Sequence, residues 1–267
     1  METIKLQQVE HNVKIGQQCP YYEPNITRDC LLEADGEIVG FYIADIGKYS
    51  SRLTQLIAIA NKEFRSDNVP KQEMSRGPQG SKKDKAKRQA TGKTLVTQYS
   101  TILGSRAPKP HMRMPYPSMS SVHQDKKAQT FIKAMLASAL ESEQIIKQIT
   151  PNIYEQQVQL FEDVPQQWRF GNLFTSSISN YNIPAPFHRD TANLVGAVNV
   201  IITKRNNSNG GALNVPDYNA TFEQADNSML VYPAWRNVHG VTPIVPTAAG
   251  GYRNSFIFYP LKAFKGI

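Results

Sequence analysis

The sequence predicts an all-β core with flanking helices, arranged as a jelly roll or barrel. Beyond Trp168 the chain consists of short segments rich in Val, Ile, Phe and Tyr. Clusters of Asn, Gly and Pro, such as residues 206–211 and 249–251, separate these segments, a pattern typical of sheets built from many short strands. Two helical patterns precede this part of the chain. With 267 residues, of which 40% are hydrophobic, the chain can bury a substantial core.

The N-terminal third predicts a hairpin, a helix and a loop. Residues 29–46 contain two β-prone segments on either side of the turn residues Asp35 and Gly36. Apolar residues then recur at helical spacing from Leu53 to Phe64, so this helix can cover a sheet. Residues 70–92 have few large apolar side chains and predict a flexible loop or a segment ordered only by a ligand. We therefore expect two parts. Residues 1–93 form an N-terminal hairpin, helix and basic loop packed on a jelly-roll domain of residues 94–267.

The middle of the chain predicts an extended segment followed by two helices and a strand. Residues 107–117 contain four prolines and should run extended along a surface. A long helix is expected from about Asp125 to Ile149, and Pro151 can open a second one. The apolar run of residues 194–202, interrupted by Asn199, is expected to be a buried strand.

The formal net charge of +8 is concentrated in one segment, because Lys71 to Lys93 hold eight basic residues and two acidic ones. Such a segment favours a polyanion partner, since each cation that displaces a condensed counterion adds salt-dependent affinity. The alternative is a solvated loop that only keeps the protein in solution. A second stretch, residues 106–116, mixes cations with Tyr116 and could also hold nucleic acid. The predicted nucleic-acid contacts are Lys82, Lys83, Lys85, Lys87, Arg88, Arg106 and Arg113.

Membrane and secretory classes are not expected. No stretch approaches the length of a membrane span, and the first residues lack a basic region followed by an apolar segment. We expect an intracellular protein, cytoplasmic if bacterial or viral and nuclear if eukaryotic. Cys19 and Cys30 are too few for a zinc cluster and are expected to be reduced and structural.

A metal site is predicted in the last third of the chain. His188 and Asp190 point the same way if they lie on a strand, because alternate side chains share a face. His239 follows the apolar segment 229–233, so a neighbouring strand can bring a third ligand to the pair. Two histidines and one carboxylate leave positions open on iron for a co-substrate and dioxygen. A zinc hydrolase uses the same three ligand types, so these residues alone leave both classes open.

Arg253 and Ser255 favour the iron oxygenase over the zinc hydrolase. They share one face of the predicted final strand, residues 252–259, and a buried guanidinium there needs an anion. The distal carboxylate of 2-oxoglutarate would meet that need through a bidentate pair, with the Ser255 hydroxyl as a further donor. Other interpretations are a structural ion pair or a surface cation. A hydrolase would not require this arginine.

Four runs of residues carry a family resemblance: 187–193, 210–216, 238–243 and 253–256. They resemble the Fe(II)- and 2-oxoglutarate-dependent dioxygenases, most of all the TET/JBP branch of nucleic-acid base hydroxylases, and the likeness extends over about residues 99–259. It implies a double-stranded β-helix, a cupin-like jelly roll, with Fe(II), 2-oxoglutarate and dioxygen as cofactors. The implied roles are iron ligation and catalysis by His188, Asp190 and His239, co-substrate binding by Arg253, Ser255 and either Asn180 or Asn182, and orientation of the site by Asn193.

The resemblance also implies a reaction, hydroxylation of the 5-methyl group of 5-methylcytosine or thymine in nucleic acid, with DNA favoured. The target nucleotide would have to be flipped out of a duplex or be single-stranded. The chain lacks the cysteine-rich zinc-binding region of the large animal enzymes of this branch, so DNA would be held by other surfaces. Two alternatives remain open: a hydroxylase of a protein side chain or small molecule, and a binding protein without turnover.

Overall fold

The computed structural model describes residues 1–74 and 96–267. Within these ranges the helices are α1 (Ser51–Arg65), α2 (Gln129–Ile149) and α3 (Pro151–Leu160). The strands that precede α2 are β1 (Glu2–Lys5), β2 (Cys30–Ala34), β3 (Glu37–Ile43), β4 (Gln72–Met74), β5 (Gln98–Arg106) and β6 (Ser118–Met119). The later strands are β7 (Ser176–Tyr181), β8 (Ala185–His188), β9 (Asn199–Asn206), β10 (Ser208–Gly210), β11 (Leu213–Val215), β12 (Ala220–Phe222), β13 (Met229–Tyr232), β14 (His239–Val241), β15 (Ile244–Pro246) and β16 (Tyr252–Tyr259).

The strands form a large and a small sheet that face each other, which confirms the predicted jelly roll. The large sheet has ten strands in the order β1-β2-β3-β13-β9-β16-β7-β5-β4, with β6 paired to β5. The small sheet has the order β12-β11-β14-β8, and β10 pairs with β15 beside it. Side chains from both sheets line one cavity between them.

Strand β16 shows how the sequence divides the two faces of the large sheet. Its alternate residues Arg253, Ser255, Ile257 and Tyr259 line the cavity. The residues between them include Phe256 and Phe258, which are fully buried in the main hydrophobic core on the opposite face. This two-residue alternation places polar chemistry on one side of the strand and core packing on the other.

Helices α1 and α2 cover the outer face of the large sheet. Their buried stripes, which include Leu53, Phe64 and Phe131, pack against sheet residues in the same core. Burial of each such side chain contributes roughly 1.5–3 kcal/mol. The Ser50 hydroxyl caps α1 by accepting from the Leu53 amide at 3.0 Å. Both helices were predicted, although α2 begins at Gln129 because a short 3-10 turn and an Asp125-centred turn precede it.

The N-terminal hairpin is confirmed and extends the large sheet. Strand β3 pairs antiparallel with β13, placing Tyr42 opposite Leu230, and β1 pairs parallel with β2. The predicted loop is different at its start, because β4 pairs with β5 through the partners Glu73 and Tyr99. The rest of that predicted basic loop falls in residues 75–95, outside the described part of the chain. The division into residues 1–93 and 94–267 stays a prediction.

Two other predictions are wrong in detail. The strand expected over residues 194–202 begins only at Asn199, because Gly196 has a positive φ of 88° and residues 194–197 form a turn. Leu194 packs instead in a small cluster with Phe161 and Phe264. The segment 107–117 is not extended throughout, because residues Pro110–Met112 form a 3-10 turn. The backbones of Lys109 and Met114 pair on either side of this turn, and Arg113 adopts left-handed backbone angles.

Candidate active site

The small sheet brings the three predicted metal ligands together. Strand β8 ends at His188, strand β14 begins at His239, and the two residues are cross-strand partners with ring centroids 4.4 Å apart. Asp190 lies in the turn after β8, where its amide donates to the Ala234 carbonyl at 3.2 Å. One ligand atom from each of the three side chains lies within 4.8 Å of the others. The arrangement is a candidate facial metal site.

Hydrogen bonds at the far side of both imidazoles set them up as metal ligands. His188 Nδ1 lies 2.7 Å from the Pro186 carbonyl oxygen, and His239 Nδ1 lies 3.1 Å from that of Asn237. Because a carbonyl only accepts, each Nδ1 carries the proton and each Nε2 keeps its lone pair. Burial, and then the neighbouring His188, lowers the pKa of His239. The donor set therefore fits a divalent metal ion.

Two asparagines hold the third ligand. Asp190 Oδ2 accepts from Asn199 Nδ2 at 3.3 Å and from Asn193 Nδ2 at 3.5 Å, and Asn193 also donates to Asn199 Oδ1 at 2.9 Å. Asp190 Oδ1 lies on the other side, 3.5 Å from His188 Nε2. Because both asparagines bond to Oδ2, Asp190 Oδ1 is available to a metal. An orienting role was expected for Asn193; Asn199 was missed, although it is the polar interruption of an apolar run.

Arg253 is a buried cation without a carboxylate partner among residues 1–74 and 96–267. It is 3% exposed; Nη1 donates to Ser255 Oγ at 3.4 Å and Nη2 to Gln224 Oε1 at 3.2 Å. Its Nε finds no acceptor there. Burial, with a smaller effect of the neighbouring Arg205, lowers the pKa of Arg253 to about 9. A carboxylate from a co-substrate would supply the missing anion, so these residues fit 2-oxoglutarate.

The guanidinium has room because position 211 is glycine. A Cβ at Gly211 would lie 2.8 Å from Arg253 Cδ, and the backbone there has a positive φ of 71°. Gln224 was not singled out by the sequence. Its Oε1 accepts from both Arg253 and the Thr203 hydroxyl, the latter at 2.8 Å, and so fixes one edge of the guanidinium.

Of the two asparagines considered for the co-substrate, the structure places Asn180 in the cavity and turns Asn182 away. The Asn182 side chain is used twice by the backbone: Oδ1 accepts from the Arg253 amide at 2.9 Å and Nδ2 donates to the Thr97 carbonyl at 3.2 Å. Asn180 lines the cavity, and its Oδ1 accepts from Ser100 Oγ at 3.0 Å. Co-substrate binding by the Asn182 side chain is therefore corrected to a structural role.

The cavity has a volume of about 1050 Å³ and a strongly positive lining. Besides the histidines, its charged lining residues in the described chain are Asp190, Lys71, Arg106, Lys109, Arg189 and Arg253. Asp190 is the single carboxylate among them. Of the predicted nucleic-acid contacts, Arg106 lines this cavity and Arg113 does not; Lys82, Lys83, Lys85, Lys87 and Arg88 lie outside the described residues.

Fold and site together define a non-haem iron oxygenase with a binding site for a dicarboxylate. A family model, Tet_JBP, described as the oxygenase domain of the 2OGFeDO superfamily, matches residues 107–262. The chain belongs to this family. It is therefore an oxidoreductase that uses Fe(II), 2-oxoglutarate and dioxygen.

Solved structures with the same fold include NgTET1 in complex with 5mC DNA. It is 14% identical, covers 95% of this chain and 84% of its own, and gives a TM-score of 0.61. An oxidoreductase of the 2OG-Fe(II) oxygenase family from Burkholderia pseudomallei, 12% identical, covers 82% of this chain and 83% of its own with a TM-score of 0.46. No curated protein matches the sequence. Among the described residues, none of the helices is long and apolar enough to cross a membrane.

Proposed function

We propose that this protein hydroxylates the 5-methyl group of a pyrimidine base, 5-methylcytosine or thymine, in nucleic acid, with DNA as the favoured substrate. His188, Asp190 and His239 would ligate Fe(II), and Arg253 with Ser255 would hold the distal carboxylate of 2-oxoglutarate. Iron, 2-oxoglutarate and dioxygen supply the oxidising power for hydroxylation of a C–H bond, with succinate and carbon dioxide as co-products.

The protein's own residues prepare the site for this chemistry. The Pro186 and Asn237 carbonyls keep both imidazoles in the ligating tautomer, and Asn199 turns one oxygen of Asp190 toward the metal position. Arg253 orients the co-substrate through a desolvated, charge-assisted pair. The apolar wall that includes Ile178 and Ile257 limits access of water to the same space.

The charge of the cavity is the observation that supports a nucleic-acid substrate most strongly. Within the described chain its only carboxylate, Asp190, is committed to the metal, and Arg253 is committed to 2-oxoglutarate. Arg106, Lys109 and Arg189 remain at the lining without an ion pair to any described residue. Three cations that have no ion pair to a described residue, beside an oxidising centre, favour a polyanionic substrate, since phosphates would neutralise them.

The size of the cavity supports a flipped base. Ligand pockets usually measure about 300–1,000 Å³, and this one, at about 1050 Å³, is slightly larger than that range. Such a volume can hold 2-oxoglutarate and a pyrimidine together. A base within a duplex would not reach the metal, so the nucleotide would be extruded or presented on a single strand. NgTET1, which shares the fold, was crystallised with 5mC DNA, and this agrees with the proposed substrate class.

Nucleoside mass spectrometry tests the proposal. DNA containing 5-methylcytosine and matched DNA containing only thymine and unmodified cytosine would be incubated with enzyme, Fe(II), 2-oxoglutarate and air, and succinate would be quantified in parallel. We expect hydroxymethylated base with succinate, and neither product from Asp190→Ala. Succinate without any oxidised base would contradict the proposed substrate and favour a protein or small-molecule acceptor.

A further inference from the structure

Residues 9–22, which we call the N-terminal strap, cross the small sheet next to the metal site. The Gly16 amide donates to the Phe187 carbonyl at 2.7 Å, and the Phe187 amide donates to the Gln17 carbonyl at 2.8 Å. Phe187 is the residue before His188. Because β8 is the edge strand of its sheet, the strap supplies the pairing that the free edge of this strand lacks.

The strap also packs against the strand that carries the second histidine. Cys19 forms a buried cluster with Phe187 and Val238, and Val238 precedes His239. On the other side of that histidine, a Cβ added to Gly240 would lie 2.9 Å from Cys19 Cβ and 2.9 Å from Phe187 Cδ1. One short segment therefore contacts the residues flanking both imidazole ligands.

A hydrogen-bond chain joins the strap to the His239 ring through Asp217. The Val9 amide donates to the Asp217 carbonyl at 2.8 Å, and His11 Nε2 lies 2.6 Å from Asp217 Oδ1. The other carboxylate oxygen of Asp217 accepts from Asn237 Nδ2 at 2.6 Å. The Asn237 carbonyl then lies 3.1 Å from His239 Nδ1.

The side chain of Asn237 is held at both ends. Its Nδ2 donates to Asp217, and its Oδ1 accepts from the buried Tyr232 hydroxyl at 2.8 Å. A residue fixed in this way presents its backbone carbonyl in one direction only. That carbonyl sets both the tautomer and the tilt of the His239 ring.

We propose that the N-terminal strap positions the metal centre, with Asp217 as the positioning residue that couples the strap to His239. The pairing of β8 with β14 explains why support is needed: it consists of two partner pairs, His239 with His188 and Val241 with Ala185, with an irregularity between them. Because this strand pairing is so short, the distance between the His188 and His239 imidazoles depends on other contacts as well. The inference rests on the proposed assignment of His188 and His239 as ligands.

Metal affinity, measured without substrate or turnover, distinguishes positioning from simple structural support. Mn(II) binding to the 267-residue chain would be followed by electron paramagnetic resonance, alongside thermal unfolding of each variant. We expect Asp217→Asn to bind Mn(II) about 10–100-fold more weakly, since loss of a group that orients a ligand typically has this effect. His11→Ala, at the periphery of the same chain, should weaken binding in the same direction by a smaller factor and preserve folding.

Asp29→Asn is the matched control, because the Asp29 carboxylate also accepts two hydrogen bonds, from the Ala44 amide at 2.8 Å and the Tyr49 hydroxyl at 3.0 Å. It should lower the melting temperature without changing Mn(II) affinity. Wild-type affinity in both strap-chain variants, or an equal loss in Asp29→Asn, would overturn the proposal. His188→Ala tests the ligand assignment separately from the positioning role of the strap, because unchanged Mn(II) binding in this variant would show that His188 is not a ligand. The assay does not measure base oxidation, so its result does not depend on the proposed substrate.

Discussion

Replacing Arg253 with methionine should stabilise the cofactor-free protein and impair binding of 2-oxoglutarate. Burial lowers the pKa of Arg253 to about 9, which corresponds to a penalty of roughly 5 kcal/mol on the charged form. The penalty is carried by the protonated guanidinium, so it is complete well below pH 9 and shrinks as the pH rises through that value. Arg253→Met removes the charge and retains an unbranched side chain.

The expected gain in stability is smaller than this penalty, because the hydrogen bonds to Ser255 and Gln224 are lost as well. Replacing a buried charge with an apolar side chain of similar length often stabilises by about 1–4 kcal/mol. Co-substrate binding should weaken by about 2–5 kcal/mol, roughly 30-fold to several thousand-fold, through loss of the charge-assisted pair.

Two measurements check the expected gain in stability and the expected loss of co-substrate binding. They are the unfolding free energy of the cofactor-free protein at neutral pH and the 2-oxoglutarate concentration for half-maximal succinate formation. Arg205→Met is the matched control, because its guanidinium donates to backbone carbonyls of Ser208, Gly210 and Gln224, which would lose their donor. That variant should be less stable than wild type. An Arg253→Met variant that is less stable than wild type and keeps the wild-type 2-oxoglutarate dependence would contradict both expectations.

Three further predictions concern the metal site, the co-substrate binding site and a cation that lines the cavity. Asn199→Ala removes a donor to Asp190 and should raise the Fe(II) requirement about 10–100-fold in a metal titration; an unchanged requirement would argue against the orienting role. Gly211→Ala places a Cβ 2.8 Å from Arg253 Cδ and should lower the unfolding free energy by about 1–3 kcal/mol while raising the 2-oxoglutarate requirement, as measured by denaturant titration and succinate assay. Arg189→Gln should reduce the slope of log affinity for DNA against log salt by about 1, and a wild-type slope in fluorescence anisotropy would remove Arg189 from the phosphate contacts.

The grouping of the metal ligands was predictable from their order along the chain, but the shared strand face expected for His188 and Asp190 was not found: β8 ends at His188, and Asp190 lies in the turn that follows. The two-residue period of a strand does put Arg253 beside Ser255 on β16. The order of these residues along the chain then matches the family. The helices that cover the large sheet were predictable for a similar reason, since the spacing of their apolar residues repeats within a few turns.

The supporting contacts were not predictable, because they join residues far apart in sequence. Nothing local shows that the amide of Arg253 bonds to Asn182, 71 positions earlier, which removes the Asn182 side chain from the cavity. Gln224 likewise lies in a polar segment without a distinctive pattern. Asn199 had a visible signal, a polar residue in an apolar run, but its function depends on the turn that brings it next to Asp190.

Isotopically labelled dioxygen would show whether one metal centre couples oxidation of 2-oxoglutarate to hydroxylation of a base methyl group, as we propose. The enzyme would turn over 5-methylcytosine DNA under the labelled gas, and succinate and nucleosides would be analysed by mass spectrometry. We expect one labelled oxygen in succinate and label in the hydroxymethyl group, in comparable molar amounts. Labelled succinate together with an unmodified base would rule out the proposed coupling.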